Sequence, residues 1–411
     1  MARRRRLASE QNRASVAMPL GHKFDIDNKL LEYAAKNANA KRPNGSISPD
    51  LSRTEYERDY HRILFSLAFR RLRHKTQVFY SPMNDHICTR MEHSLQVASI
   101  ADTVCRNLSL NVDLANAIAL GHDLGHAPFG HTGEEALDDL CKKAGLGAFI
   151  HEAYSLRVVE EMKELHGDAL NLTYQVRDGI VCHCGEQYDR VLRPDVEKNL
   201  IDVSCAWARK QKPYTMEGCV VRYVDRVAYL PVDLQDAIEL RIIRATQVPK
   251  HIRDTLGTDS GEIIGIITED MITASLDQPY IATSDKVFSC ICDLYEFSRK
   301  YIYNCDHISR QKVRAEKIIG DLFTEFLRVL NNSDRGQNSG FRKECKEKAY
   351  QVFFGFLDMM QYDQSTSPAQ IVLDYVAGMT DNFALRSYDE IFLSIPMPLP
   401  APSFGNMRRR D

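Results

Sequence analysis

Ala119-Leu-Gly-His122-Asp123-Leu-Gly-His126-Ala-Pro-Phe-Gly-His131-Thr-Gly-Glu134-Glu135 is the stretch on which the reading of this chain turns. It sets three histidines and several carboxylates among glycines and one proline. A helix running into it would end at His122 and Asp123, and Gly125, Pro128 and Gly130 would then break regular structure and turn the chain. Neutral imidazole beside carboxylate suits a borderline divalent cation such as manganese, iron, zinc or nickel. His126, one helical turn on, and His131 can face the same pocket. A histidine that only packs is common. Three with acidic neighbours in a Gly-rich turn are not, and the stretch reads as a functional site.

Working outward, the flanking text is helical. Ser52-Arg-Thr-Glu55 resembles a capping box, and Tyr56 to Lys75 then carries Tyr60, Ile63, Leu64, Leu67, Ala68 and Leu72 at the spacing of one helix. Its other face is basic, with Arg62, Arg70, Arg71, Arg73 and Lys75. Such a run is usually a solvated face, but Thr76-Gln77-Val78-Phe79 follows it as a loop placed to line a pocket. Arg90-Met-Glu92-His93 opens the next helix, and further helices are predicted over Asp113–Leu124, Glu134–Cys141, from His151, and within 173–184. Gly218 to Ala237 is an apolar helix with an acid stripe at Asp225, Asp233 and Asp236, and Pro231 predicts a kink in it.

Beyond Glu239 the pattern weakens, with Asp285–Ile302 and Val313–Leu330 the clearest helices. Asn331 to Gly340 reads as a mobile loop, and Pro396 to Asp411 as an extended tail. Strand-type alternation is rare and no internal repeat is visible, so the fold class is all-α. The organisation predicted is a polar N-terminal arm over 1–51, a helical core over 52–240, and a C-terminal helical region over 241–411 that completes the pocket and supplies assembly surfaces.

Composition narrows the setting. The 411 residues are 44% hydrophobic and 27% charged, enough for a large core, and the net charge of -3 gives no general bias towards nucleic acid or membrane. Single-stranded nucleic acid contact would rest on Arg3-Arg4-Arg5-Arg6 alone. Eleven cysteines, an odd number without a disulfide pattern, read as reduced thiols of a cytoplasmic protein. Cys182-His183-Cys184 and Cys290-Ile-Cys292 lack the spacing of a structural zinc site. No apolar run reaches membrane-spanning length and no signal-peptide core follows the basic start.

Metal ligands must converge from separate elements, and the chain offers His93, the adjacent His122-Asp123, and Asp225 on separate predicted helices. Two imidazoles and two carboxylates leave positions open for water and a substrate oxygen, as in a catalytic site. The order H…HD…D resembles the HD-domain metal-dependent phosphohydrolases. FRRLRHKTQVF (69–79), RMEHSLQVASIA (90–101), ALGHDLGHAPFGHTGEEAL (119–137) and DRVAYLPVDLQDA (225–237) look like their deoxynucleoside triphosphate triphosphohydrolase branch.

That resemblance runs from about Ser52 to Leu240. It implies hydrolysis of deoxynucleoside triphosphates, dGTP among them, to deoxynucleoside and tripolyphosphate. It also implies a divalent metal (manganese, magnesium or iron, with nickel, cobalt or zinc also accepted) at His93, His122, Asp123 and Asp225. His131 with Glu134 matches the family's acid/base element, and His126 and His151 match histidines around the scissile bond. Arg90 matches a phosphate-contacting arginine. Gln77, Val78, Arg226, Tyr229 and Asp233 match positions around the sugar and phosphates. A homo-oligomer, from dimer to hexamer, and an activating allosteric nucleotide are further family traits. His151-Glu152 departs from the His-Asn text of many bacterial members, so Glu152 is expected to point away or pair with a basic residue. Two other readings stand beside this one: an HD phosphohydrolase acting on nucleoside monophosphates, and a nucleotide-sensing or single-stranded nucleic-acid-binding HD protein.

Overall fold

A computed structural model of the protein describes residues 26–45, 50, 52–79, 87–164, 167–184 and 189–393. Helix α1 (Glu55–Leu64) is capped by Thr54, whose hydroxyl accepts from the Glu57 N–H. Its start therefore lies two residues later than the Ser52 capping box would place it. Ser66 caps α2 (Leu67–Leu72) in the same way, so the expected single helix over 56–75 is two. The reason is local: a serine hydroxyl offers the backbone an alternative to helical bonding, and the freed Leu67 N–H donates to Glu164 Oε2 at 2.7 Å.

Helix α3 (Arg90–Asn107) opens on a true capping box of Thr89 and Glu92. Then come α4 (Val112–Gly121), α5 (Gly130–Lys143), α6 (His151–Glu161), α7 (Tyr174–Val181) and α8 (Met216–Glu239). Pro231 lies inside α8, which nonetheless continues past it to Glu239. Helix α4 is largely apolar, only Asp113 and Asn116 being polar, and packs against α1, α3, α7 and α8, as a central helix must. Its C-terminal end, with His122 at the cap, is thus delivered into the middle of the domain.

A short antiparallel ribbon pairs β1 (Val191–Leu192) with β2 (Ile281–Ala282), Val191 opposite Ala282. The remaining helices are α9 (Lys250–Leu256), α10 (Ser260–Ser275), α11 (Asp285–Ser298), α12 (Asp306–Asn332), α13 (Ser339–Glu344), α14 (Lys348–Met360), α15 (Pro368–Ala377) and α16 (Asp381–Phe392). The long α12 packs on α5, α15 and α16, and α10 packs on α3 and α8. One apolar cluster runs from Ala34 to Ala384 without a break between the two halves. The fold is all-α.

Two expectations change. The described part of the N-terminal arm, residues 26–45, is no free strand: Arg42 pairs with Asp59 and Glu55, and Glu217 accepts from the Ala35 N–H at 3.0 Å. The segment after α12 is not a loose loop, because Arg335 donates to the Gln364 carbonyl at 2.7 Å and Ser333 is buried. The Arg-rich start and the tail from Pro396 lie outside the described residues. All eleven cysteines are free thiols. Among the described residues no helix is long and apolar enough to cross a membrane.

Candidate active site

His93, His122, Asp123 and Asp225 come from α3, the end of α4 and the middle of α8, and all are buried. His93 Nε2 lies 3.0 Å from Asp225 Oδ1. His122 Nδ1 donates to the Ala119 carbonyl at 2.6 Å. A carbonyl can only accept, so the proton sits on Nδ1 and Nε2 presents its lone pair. That Nε2 makes no hydrogen bond among the described residues. It lies 3.3 Å from Asp123 Oδ1 and 3.8 Å from Asp225 Oδ1. Burial drives His122 down to about 4, against the pull of Asp123 and Asp225, so it is neutral, as a ligand must be. Burial works to protonate Asp123, but His122, His126 and Arg90 hold it well below the usual carboxylate range. An orphaned, buried imidazole nitrogen between two ionised carboxylates is a donor set that fits a divalent cation.

The turn after Asp123 carries the other histidines towards this set. Gly125 lies so close to the start of α6 that an added Cβ would stand 2.1 Å from Ser155 N and 2.4 Å from the Tyr154 carbonyl carbon, and only glycine fits. This approach stacks His126 on His151, ring centroids 3.8 Å apart. Glu134, on the first turns of α5, meets His151 Nδ1 at 3.0 Å and His131 Nδ1 at 3.4 Å. Arg209 completes the group by donating to Glu134 at 3.1 Å and to Glu152 at 2.9 Å. Glu152 is therefore paired with a basic residue.

These neighbours set three different histidines. Burial opposes a charge on His151, but Glu134 and Glu152 raise it well above the ordinary imidazole range. Burial, Arg90 and His151 drive His126 well below that range. His131 is different in kind: its side chain is 68% exposed, the only member of the row open to an incoming ligand. The site thus holds an imidazole raised by two carboxylates, an imidazole lowered by burial and its cationic neighbours, and an accessible imidazole leaning on a carboxylate.

The residues expected around a sugar and phosphates lie at the start of α3, in the loop before it, and along α8. Arg90 is buried, with Nη1 2.8 Å from Asp123 Oδ2 and Nη2 towards the Gln77 carbonyl at 3.5 Å. Gln77 is buried with its Oε1 unpaired among the described residues, and Val78 is half-buried. Arg226, Tyr229 and Asp233 follow Asp225 along α8; the first two are half-buried. Asp233 is buried, accepts from the Tyr303 hydroxyl at 2.9 Å, and is pushed up to about 7 by its burial.

Several contributors were not legible as site residues. Buried Lys75 donates to the His126 carbonyl and, at 2.9 Å, to the Ala377 carbonyl. Asp381, at the start of α16, accepts from the Phe129 N–H at 2.8 Å, from the Thr76 N–H at 3.0 Å and from the Thr76 hydroxyl. Phe129 has φ +65, a left-handed conformation costly for a bulky residue and held only where surroundings enforce it. Asp381 therefore pins both the Gln77 loop and the His126–His131 turn. Nothing local in the sequence links residue 381 to these loops.

Comparison with known proteins follows the same lines. Residues 90–230 match the HD domain and residues 281–390 match a domain described as phosphohydrolase-associated. The chain is 37% identical over 367 residues to a deoxyguanosinetriphosphate triphosphohydrolase-like protein of Desulfatibacillum aliphaticivorans, covering 89% of this chain and 94% of the relative. A protein of the same description from Caldanaerobacter subterraneus subsp. tengcongensis is 37% identical over 374 residues, covering 90% and 95%. One from Clostridium tetani is 31% identical over 346 residues, covering 83% and 86%. The HD-domain match, the phosphohydrolase-associated match and the identity over most of the chain agree, and the chain belongs to the HD-domain deoxyguanosinetriphosphate triphosphohydrolase-like family.

Proposed function

We propose that this protein hydrolyses deoxynucleoside triphosphates, dGTP among them, to deoxynucleoside and tripolyphosphate, with manganese as the working cation. One observation carries the reading: the four candidate ligands share a buried pocket with a second set of histidines, one of them open to solvent. His93, His122, Asp123 and Asp225 would hold the cation. The chemistry such a cation supplies is polarisation of a phosphoryl oxygen and activation of a water.

The chain's own groups do the rest. Arg90 and His151, whose pKa Glu134 and Glu152 raise, face the α-phosphate and balance the charge that gathers on it. Water adds to the α-phosphorus as the bond to the 5′-oxygen breaks. His131 hands its proton to that departing oxygen and regains one from the water that adds, while Glu134, hydrogen-bonded to it, orients the ring. His126, neutral and stacked on His151, fixes that ring's plane. Gln77 and Val78 pack on the sugar edge, with Tyr229 on its face. Asp233 takes the 3′-hydroxyl and Arg226 the outer phosphates.

The test is incubation of the purified protein with each dNTP and with GTP in the presence of manganese, products being resolved by ion exchange. Deoxynucleoside with intact tripolyphosphate is expected. Monophosphate as the product, or no product with metal bound and mixed dNTPs present, would overturn the reading.

A further inference from the structure

His183 follows the C-terminal end of α7 and is completely buried. Its ring is held by the same backbone hydrogen bond as that of His122. His183 Nδ1 donates to the Ile180 carbonyl, three residues earlier, at 2.6 Å. His122 Nδ1 donates to the carbonyl three residues before it at the same distance. In both rings the proton is thereby placed on Nδ1, and Nε2 is left with a lone pair and no hydrogen bond among the described residues. A buried imidazole nitrogen without a partner is a cost that native structures rarely carry unless the atom has something to bind.

What it faces is specific. The two rings stand edge to face with centroids 4.9 Å apart. The ligand atoms of His122, His183 and Asp225 all lie within 4.8 Å of one another. Cis donors around a six-coordinate ion at about 2.1 Å are roughly 3 Å apart and trans donors roughly 4.2 Å, so one ion with a small side-chain adjustment can take all three. His183 also meets His151, centroids 5.4 Å apart, and Cys184 approaches Asp225 Oδ2 at 3.9 Å. The ring is therefore in contact with both His122 and His151.

We propose that His183 is a fifth protein ligand of the metal centre, giving Nε2 to a divalent cation shared with His122 and Asp225. This rests on the metal centre proposed above and adds to it. Five protein donors leave one position for water on a six-coordinate ion. The centre also gains a third imidazole, which favours borderline ions such as manganese or iron over magnesium.

The decisive readout counts imidazoles rather than turnover. Full-length protein loaded with manganese is examined by pulsed electron-nuclear double resonance with and without 15N-histidine labelling. Three coordinated imidazoles are expected in the wild type, and two in His183→Ala. His183→Leu, which fills similar volume without a lone pair, should also show two and bind manganese at least 10-fold more weakly. Two imidazoles in the wild type, or wild-type manganese affinity in the leucine variant, would overturn the assignment of His183 alone. No bound manganese at all would overturn the metal centre, and this assignment with it.

Discussion

The two ends of the pocket are built in opposite ways. At the proposed cation end each donor sits in or next to a core helix and is held by contacts within that helical core: His122 by the carbonyl three residues earlier, His93 by Asp225, Asp123 by Arg90. At the histidine end, the turn from His126 to His131 contains a residue in a left-handed backbone conformation and is held from outside. Its supports are Lys75, the Ala377 carbonyl and Asp381, the last two more than 240 residues further along the chain. One end is assembled by the core helices. The other depends on the C-terminal domain having docked. Removing a C-terminal contact should therefore disturb the histidines and spare the metal.

The largest expected effect lies at the cation end. Asp123→Ala removes a carboxylate within reach of His122 and releases the Arg90 pairing, so hydrolysis and metal retention should be lost together, by assay and by metal analysis of the same preparation. Activity retained in that variant would remove the metal assignment. His131→Ala should lower kcat by about 100-fold or more while metal content and nucleotide binding stay near wild type. Unchanged turnover there would move the proton donor to another histidine of the row.

Asp381→Ala tests the contrast itself. It strands the Phe129 and Thr76 N–H groups in a buried setting, a cost of about 1–3 kcal/mol each, and lets the turn shift. A fall in kcat of about 10-fold or more with unchanged metal content would sharpen the comparison. A fall in metal content with kcat per bound metal preserved would break it, showing that the C-terminal domain supports the cation end.

The smallest effect concerns pH. Asp233 is buried and its pKa is raised from 3.8 to about 7. The folded protein therefore keeps a proton there that the unfolded chain has lost. The stabilisation is complete below about 4 and disappears as pH rises through 7. Asp233→Asn should flatten the decline in unfolding free energy between pH 5 and 7.5, measured by denaturant titration; an unaltered slope would show that Asp233 is ionised throughout.

The sequence by itself determined the all-α class and pointed to the residues of the proposed cation end. Helix periodicity, Gly and Pro punctuation and the order His93, His122-Asp123, Asp225 are local or motif-level signals, and each of these residues lies within a core helix or directly after one. Local signals also marked their own limits: one basic run read as one helix where Ser66 starts a second. Tertiary structure alone decided the rest. The approach of Gly125 to Ser155, the contact of Glu134 with His151, the alignment of His183 with His122 and the hold of Asp381 on Phe129 and Thr76 all join residues on different elements. Such contacts follow from how helices pack, which side-chain spacing along one segment does not encode.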